Sequence, residues 1–325
     1  MLTASMTPDA DVPRPHLSVV IPIYRGEPFI VELHERLTRS LMEIHPDYEI
    51  IFVDDCSVDD SWNLLRDIQS RDPKVRLVQL TRNYGQQRAV LCGFEHARGD
   101  YVITTDEDLQ HRPEEIRLLY DEICRSDLDI VMGSFAKKRH GAIRGLGTWT
   151  VKRLANLTLG VPTNLDLTSF RIIRRATIAE VMKLRNTNPV VGFLLFHVTH
   201  RIRNVVVHHD PRRGGGSSYT FRGLVRYFLC MAVDYSDLPL RAVGYFGVGA
   251  SVLSLLLGIW YLQLFFRGHL GVAGFPTIVL LILLFSGLIL MSLGVIGAYL
   301  KRILSATNVD RMYSVRERIG FRHGD

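Results

Sequence analysis

The sequence lacks the cysteine patterns of a disulfide scaffold or a zinc site. Its 325 residues include four cysteines without paired spacing, which favours a reducing compartment. The N-terminus has no basic stretch followed by an apolar one, so no secretory signal is expected. Residues 1–16 are polar and contain proline, and we expect them to form a disordered tail.

Glycine-rich phosphate loops are missing after the first two predicted strands, Leu17–Tyr24 and Tyr48–Val53. Neither is followed by Gly-x-Gly-x-x-Gly or by a Walker lysine. A Rossmann dinucleotide site and a P-loop ATPase are therefore poorly supported.

Charged residues are absent from two long segments, 242–266 and 270–300. Each exceeds the roughly 20 apolar residues that cross a bilayer. Buried core helices are the alternative, but the segments are long and close together. We therefore expect a two-helix transmembrane hairpin within residues 239–301, with helices at about 242–266 and 275–300.

The residues that flank this hairpin are rich in arginine and lysine on both sides. The positive-inside bias then places both termini in the cytoplasm and the connection between the helices on the outer side. Residues 216–238 mix arginine with apolar and aromatic side chains, which predicts an amphipathic juxtamembrane segment on anionic lipid. Residues 302–325 are expected to form a basic cytoplasmic tail. These features are also compatible with a homo-oligomer in the membrane.

From Leu17 to Phe135 the chain alternates between predicted strands and helices at short spacing, and the alternation loosens after that. The pattern predicts an α/β domain over residues 17–215, with a mostly parallel sheet and helices on both faces. The net charge of the whole chain is +6, and its acids crowd into the first 130 residues while Arg and Lys dominate later. Such a basic surface suits phosphate groups.

Acidic side chains gather where the predicted strands end. The apolar strand Tyr101–Thr105 leads into Asp106, Glu107 and Asp108, with Gln110 two residues further on. Ligand sites of open α/β sheets lie at the carboxyl ends of strands. Mg²⁺ and Mn²⁺ prefer carboxylate and amide oxygens. The residues alone leave open a metal site or an acidic turn that caps the next helix.

The second predicted strand also ends in acids, Asp54 and Asp55. Acids at a strand end suit hydroxyl and amide donors such as those of a ribose or a base. Singly, each would more often cap a helix. Together with Glu27, Asp106 and Asp108 on neighbouring strand ends, they suggest a nucleotide-diphosphate site with a bound cation.

The ordered motifs Val-Val-Ile-Pro-Ile-Tyr, Val-Asp-Asp-Cys-Ser-Val-Asp-Asp, Arg-Asn-Tyr-Gly and Asp-Glu-Asp-Leu-Gln-His-Arg-Pro-Glu resemble family-2 glycosyltransferases of the GT-A fold. The Asp-x-Asp-Leu-Gln form, the Thr-Ser-Phe-Arg stretch at 168–171 and the C-terminal hairpin are similar to polyprenyl-phosphate glycosyltransferases. That group includes dolichol-phosphate mannose synthases and bacterial enzymes that load undecaprenyl phosphate with glucose or aminoarabinose. The resemblance implies a Rossmann-like GT-A catalytic domain and covers the chain after residue 16.

The resemblance also implies residue roles. The nucleoside would be bound by Pro22, Tyr24, Glu27, Asp54 and Asp55. The catalytic set would be Asp106, Asp108 and Arg171, with Mg²⁺ or Mn²⁺ held by Asp106, Asp108 and Gln110. The lipid phosphate and the diphosphate would be gripped by Arg153, Ser169, Arg171, Arg212, Arg213, Ser218 and Tyr219. The chain departs from the family at Tyr24-Arg25-Gly26-Glu27, where Tyr-Asn-Glu is common, and at Thr168-Ser169, which removes an acid before Phe-Arg.

The resemblance implies inverting transfer of one sugar from a nucleotide sugar, with UDP favoured over GDP, to undecaprenyl (polyprenyl) phosphate. The reaction would take place at the cytoplasmic face of the bacterial inner membrane, in which the protein would be multi-pass, and would give a lipid-linked sugar for cell-envelope glycan modification. A phosphate acceptor is already ionised near neutral pH, so positioning and charge stabilisation suffice without a side-chain base. One alternative acceptor is a saccharide hydroxyl, although the Gln-x-x-Arg-Trp signature of processive synthases is absent. An alternative from another class is a non-catalytic, membrane-anchored nucleotide or nucleic-acid binding protein. We expect membrane lipid as a partner and no nucleic acid.

Overall fold

The computed structural model describes residues 15–135, 156, 160–184, 189–208, 210, 238–267, 275–307 and 312–321. The chain divides into two compact units. One contains the sheet with its helices, and the other contains two long helices. Residues 1–14 and 211–237, which hold most of the expected tail and juxtamembrane segment, lie outside the described residues.

Eight strands form one sheet in the first unit. Their bounds are β1 Leu17–Ile23, β2 Tyr48–Asp54, β3 Val75–Leu80, β4 Tyr101–Thr104, β5 Ile130–Phe135, β6 Arg171–Arg174, β7 Ile202–Val207 and β8 Val315–Ile319. The strand order across the sheet is β7-β5-β6-β4-β1-β2-β3-β8.

The sheet is mixed and mostly parallel, because six of its eight strands run in the same direction and only β6 and β8 are reversed. β1 pairs in parallel with β2 and β4, β2 with β3, and β5 with β7. β6 lies antiparallel between β4 and β5, and β8 lies antiparallel on β3. The predicted mostly parallel arrangement is therefore confirmed, with β6 and β8 as the two exceptions. An apolar run indicates a buried strand but carries no signal for its direction.

Helices cover both faces of this sheet, which confirms the α/β class. They are α1 Ile30–Ile44, α2 Ser61–Arg71, α3 Gln86–His96, α4 Ile116–Arg125, α5 Arg175–Val181 and α6 Val191–Val198, with a 3₁₀ turn at Pro113–Glu115. In α1 the apolar residues recur at helical spacing, and Ile30, Leu33, Leu37 and Leu41 are fully buried. One core layer holds α1, α2 and α4, and the other holds α3, α5 and α6.

The second unit contains α7 Leu238–Phe266 and α8 Phe275–Thr307. Their bounds enclose the two segments expected to cross the membrane. Over the described part of the chain, however, no helix has both the length and the apolar character that a bilayer crossing requires. The transmembrane hairpin is thus not confirmed.

The C-terminal segment differs from its prediction as a simple tail. Residues 302–307 complete α8, and β8 extends the sheet at its β3 edge. Arg316, Glu317 and Arg318 lie in this strand. A run of charged residues lacks the apolar pattern by which strands are predicted, so β8 was not predicted. Edge strands often carry charged residues because such residues oppose pairing with other chains.

Candidate active site

The acidic residues lie together at the end of the sheet where the carboxyl ends of its parallel strands point. β1, β2 and β4 end there, while the antiparallel β6 begins there. The register pairs Ile23 with Asp54 across β1 and β2, and Thr104 with Arg171 across β4 and β6. This arrangement brings the acids after β4 beside the residues that precede β6.

Asp54 and Asp55 organise the loops on the β2 side of the site. Asp54 is fully buried and accepts hydrogen bonds from the Ser57 backbone at 3.1 Å and from Gln79 Nε2 at 3.1 Å. Asp55 accepts hydrogen bonds from the backbone N–H groups of Tyr84 and Gly85, both at 2.7 Å. Burial raises the pKa of Asp55, while these two donors act in the opposite direction. Both carboxylates therefore hold the loops around the predicted nucleoside site.

In the loop held by Asp55, position 85 requires glycine for its backbone conformation. Its φ of +90° lies in the region that side chains disfavour, and it directly precedes α3. Asp55 thus fixes both the loop and the start of α3, whose first residue, Gln86, reaches the acidic motif.

The predicted nucleoside residues after β1 differ in exposure. Pro22 is buried within β1, whereas Tyr24 and Glu27 are exposed. Glu27 Oε2 accepts a hydrogen bond from the Asp60 backbone at 3.2 Å, and the Glu27 backbone donates to Asp59 at 3.4 Å. Tyr24 and Glu27 are consequently accessible to a ligand, whereas Pro22 is packed inside the sheet.

Asp106 is the hub of the site. Its Oδ1 accepts a hydrogen bond from Gln86 Nε2, and its Oδ2 accepts one from Ser169 Oγ at 2.5 Å. His111 is buried, stacks on Phe170 with ring centroids 5.1 Å apart, and has Nδ1 3.9 Å from Asp106 Oδ2. Asp106 therefore joins α3, β4 and the approach to β6.

Asp108 and Gln110 form a tight turn directly after the hub. Asp108 Oδ1 accepts a hydrogen bond from the Gln110 backbone at 3.1 Å. Between them, Leu109 has a φ of +57° and a buried side chain. Across the described residues no group of three or more His, Cys, Asp or Glu side chains forms a metal cluster. The donor chemistry of Asp106, Asp108 and Gln110 nevertheless fits a hard divalent cation whose remaining ligands come from water and a diphosphate.

Glu107 lies on the other side of this motif, beside the loop after β1. A Cβ built on Gly26 would stand 3.5 Å from its Cγ. Burial raises the pKa of Glu107 to about 7, the negative charges of Asp106 and Asp108 raise it too, and a hydrogen bond from the Tyr24 backbone lowers it. The crowded negative charge favours a bound cation, because a cation would offset the repulsion.

Arg171 is buried below the hub at the start of β6. Its Nε donates a hydrogen bond to Thr104 Oγ1 at 3.1 Å, and the Thr104 hydroxyl donates to the Ser169 carbonyl. Burial lowers the pKa of Arg171 to about 10, while the Asp106 carboxylate acts in the opposite direction. The guanidinium therefore stays protonated at neutral pH and supplies positive charge next to the acids.

The remaining predicted phosphate-binding residues divide into two groups. The Ser169 hydroxyl donates to Asp106, so the structure favours a role in orienting the acid. The others lie outside the described residues, namely Arg153, Arg212, Arg213, Ser218 and Tyr219.

Sequence reasoning missed three residues that complete the site, Gln79, Gln86 and Thr104. Gln79 contacts Asp54, Gln86 contacts Asp106, and Thr104 links Arg171 to Ser169. Each lies at or next to a strand or helix end. Their position at the catalytic edge was a usable signal, but their partners are distant in sequence.

Comparison with known proteins decides the family. The family model "Glycosyl transferase family 2" matches residues 18–179. An undecaprenyl-phosphate 4-deoxy-4-formamido-L-arabinose transferase of Pseudomonas aeruginosa is 32% identical over 296 residues, covering 89% of this chain and 86% of the relative. The chain belongs to glycosyltransferase family 2.

Similarity to proteins of this name extends beyond one genus. A relative with the same name from Shewanella sediminis is 29% identical over 304 residues, covering 93% of this chain and 92% of the relative. Among solved structures, glucosyl-3-phosphoglycerate synthase of Mycobacterium tuberculosis, in complex with Mg²⁺ and uridine diphosphate, matches with a TM-score of 0.51 and 17% identity. The match covers 68% of this chain and 79% of that chain. It shows the shared GT-A-like fold of this family-2 glycosyltransferase.

Proposed function

We propose that this family-2 glycosyltransferase transfers one sugar, with inversion, from a nucleoside-diphosphate sugar to undecaprenyl phosphate or a similar polyprenyl phosphate. The observation that carries the proposal is the Asp106 hub, where acids after β4 meet Ser169 and Arg171 before and within β6. The names of the Pseudomonas and Shewanella relatives support undecaprenyl phosphate as the acceptor.

On the donor side, Asp106, Asp108 and Gln110 would hold Mg²⁺ or Mn²⁺. The cation, when bound, supplies positive charge that stabilises the leaving nucleoside diphosphate. Gln86 and Ser169 keep the Asp106 carboxylate oriented. The exposed Tyr24 and Glu27 are available to the nucleoside, for which we propose uridine.

On the acceptor side, the attacking group is an oxygen of the polyprenyl phosphate. This oxygen already carries negative charge near neutral pH, so no side chain has to remove a proton. Arg171 contributes a buried positive charge close to the hub. The protein's task is therefore to align the phosphate with the anomeric carbon and to exclude water.

We further propose that the enzyme works at the cytoplasmic face of the bacterial inner membrane, associated through the region of α7 and α8. Exposed apolar side chains along both helices support this, among them Tyr245, Trp260 and Leu290. Fractionation of cells, followed by an alkaline carbonate wash, tests the association. We expect the protein in the washed membrane pellet, and recovery in the supernatant would overturn the membrane proposal.

The transfer itself is tested with membranes that contain the full-length protein, supplied with Mn²⁺, undecaprenyl phosphate and a panel of radiolabelled UDP- and GDP-sugars. We expect label in the organic phase after lipid extraction for one donor. Label confined to saccharide would favour hydroxyl transfer. The absence of transfer with every donor, despite nucleotide binding, would favour a binding protein.

Asp108→Ala tests the metal assignment in this assay. We expect transfer to fall by at least about a hundredfold, since a direct metal ligand is removed. Asp67→Ala, which removes an exposed carboxylate on α2, is the matched control and should retain activity. Full activity of Asp108→Ala at low Mn²⁺ would contradict the assignment.

A further inference from the structure

The segment that follows the acidic motif is tied to the end of β7, which lies at the opposite edge of the sheet from β8. We call this set of contacts the β7 clasp. It consists of Gln110, Arg112 and Glu115 on one side and His208 and Asp210 on the other. None of these contacts is a pairing between strands of the sheet.

The first part of the β7 clasp is a paired ion contact. Arg112 Nε and Nη2 donate to the two carboxylate oxygens of Asp210 at 2.9 and 2.7 Å. Such two-point pairs fix direction as well as distance. The Asp210 backbone N–H then donates to the Gln110 carbonyl at 3.1 Å. The ion pair therefore holds Asp210 where its backbone supports the metal-site turn.

The second part anchors the base of the clasp. The buried Glu115 accepts hydrogen bonds from the His208 backbone N–H at 2.8 and 3.0 Å. The His208 ring nitrogen Nδ1 lies 2.7 Å from the same carboxylate. This anchor brings the chain leaving β7 to the 3₁₀ turn that begins at Pro113.

The turn held by the clasp contains a backbone conformation that requires support. Leu109 has a φ of +57°, which a branched side chain disfavours. One hydrogen bond within the turn, from the Gln110 backbone to Asp108 Oδ1, closes it. The clasp adds a contact from outside to the carbonyl of Gln110, whose backbone N–H donates to the Asp108 carboxylate that would bind the cation.

We propose that Arg112 and Asp210 are positioning residues for the divalent cation at Asp106 and Asp108. They act through the Gln110 backbone and touch neither the cation nor the substrate. The inference rests on the proposed function, because it takes the cation from there. Loss of an outer partner of a metal ligand typically weakens metal affinity by about 10–100-fold.

The test uses Arg112→Gln and Asp210→Asn in the full-length protein in detergent. Mn²⁺ binding is measured by electron paramagnetic resonance in the presence of uridine diphosphate, and thermal unfolding is recorded in parallel. The charge-swapped double variant R112D/D210R restores an ion pair. Arg36→Gln is the matched control, because Arg36 makes a similar two-point pair with Glu114, at 2.9 and 2.8 Å, and not with the metal-site turn at residues 108–110.

We expect the Mn²⁺ dissociation constant to rise about tenfold in both single variants, with the unfolding temperature close to that of the wild type. The swapped variant should recover part of the affinity, and R36Q should bind like the wild type. Wild-type affinity in both single variants, or equal weakening in R36Q, would overturn the inference. Should R112Q not fold, Arg112→Lys gives the same comparison with the charge retained. A wild type that binds no Mn²⁺ would instead overturn the metal-dependent function, and this inference with it.

Discussion

Glu107→Gln is expected to stabilise the metal-free protein at pH 8. Burial and the two neighbouring carboxylates raise the pKa of Glu107 from 4.5 to about 7. A factor of ten in proton affinity corresponds to about 1.4 kcal/mol, so the shift corresponds to about 3 kcal/mol of lost stability when the group is ionised. Partial exposure to water reduces this to about 2 kcal/mol. Glutamine keeps the shape and an acceptor for the Tyr24 backbone but carries no charge.

The pH dependence has a definite sign. The folded protein binds the proton more tightly than the unfolded chain, so stability is lost as pH rises from 4.5 to about 7. The gain from Glu107→Gln should thus be small at pH 5 and full at pH 8. For a domain of this size, about 2 kcal/mol corresponds to a rise in unfolding temperature of about 4–8 °C.

The assay is thermal unfolding of the full-length protein in chelator, at pH 5 and pH 8, repeated with Mn²⁺ and uridine diphosphate. The ligands should reduce the difference between variant and wild type, since a cation offsets the charge on Asp106 and Asp108. Glu43→Gln, at an exposed position of α1, is the matched control and should change stability by less than about 0.5 kcal/mol at both pH values. An equal effect of Glu107→Gln at pH 5 and pH 8 would refute the electrostatic reasoning.

Two further predictions concern the hub and the core. Ser169→Ala removes the donor to Asp106 and should lower the rate of sugar transfer about 10–100-fold. The control Ser126→Ala removes a hydroxyl bonded to a helix carbonyl and should leave the rate unchanged. Equal transfer rates for Ser169→Ala and the wild type in the labelled-sugar assay would contradict the role of Ser169 in orienting Asp106. Gly93→Ala should destabilise the protein by about 1–3 kcal/mol, because its Cβ would lie 2.1 Å from Val20 Cγ1. Adding Val20→Ala should restore part of the lost free energy of unfolding, as measured by denaturant unfolding. If stability is not restored, the clash is not with Val20.

The candidate site was predictable where its residues are close in sequence. Asp106 and Asp108 follow a β-branched run, and the position of acids at a strand end indicates a ligand site without any structure. The partners of Asp106 were not predictable in the same way, because Gln86 and Ser169 lie 20 and 63 residues away. Only the insertion of β6 beside β4 brings Ser169 to that carboxylate.

Ser169 and Asp54 lie in the predicted site, but their contacts in the structure differ from those that were predicted. Both were expected to bind substrate groups. In the structure the Ser169 hydroxyl is directed at Asp106, and the buried Asp54 accepts hydrogen bonds from Ser57 and Gln79. Residue type and position do not show which neighbour satisfies a polar group, and burial makes that choice energetically important.

Local periodicity and turn chemistry suffice to predict the α/β class, the helical faces and the strand ends where the acids lie. Three features were visible only after folding: the antiparallel direction of β6 and β8, the contacts of Asp106 and the β7 clasp. These depend on which strands become neighbours in the sheet. That choice is made by the packing of the whole domain, through contacts between residues far apart in the chain, and no short window of sequence contains it.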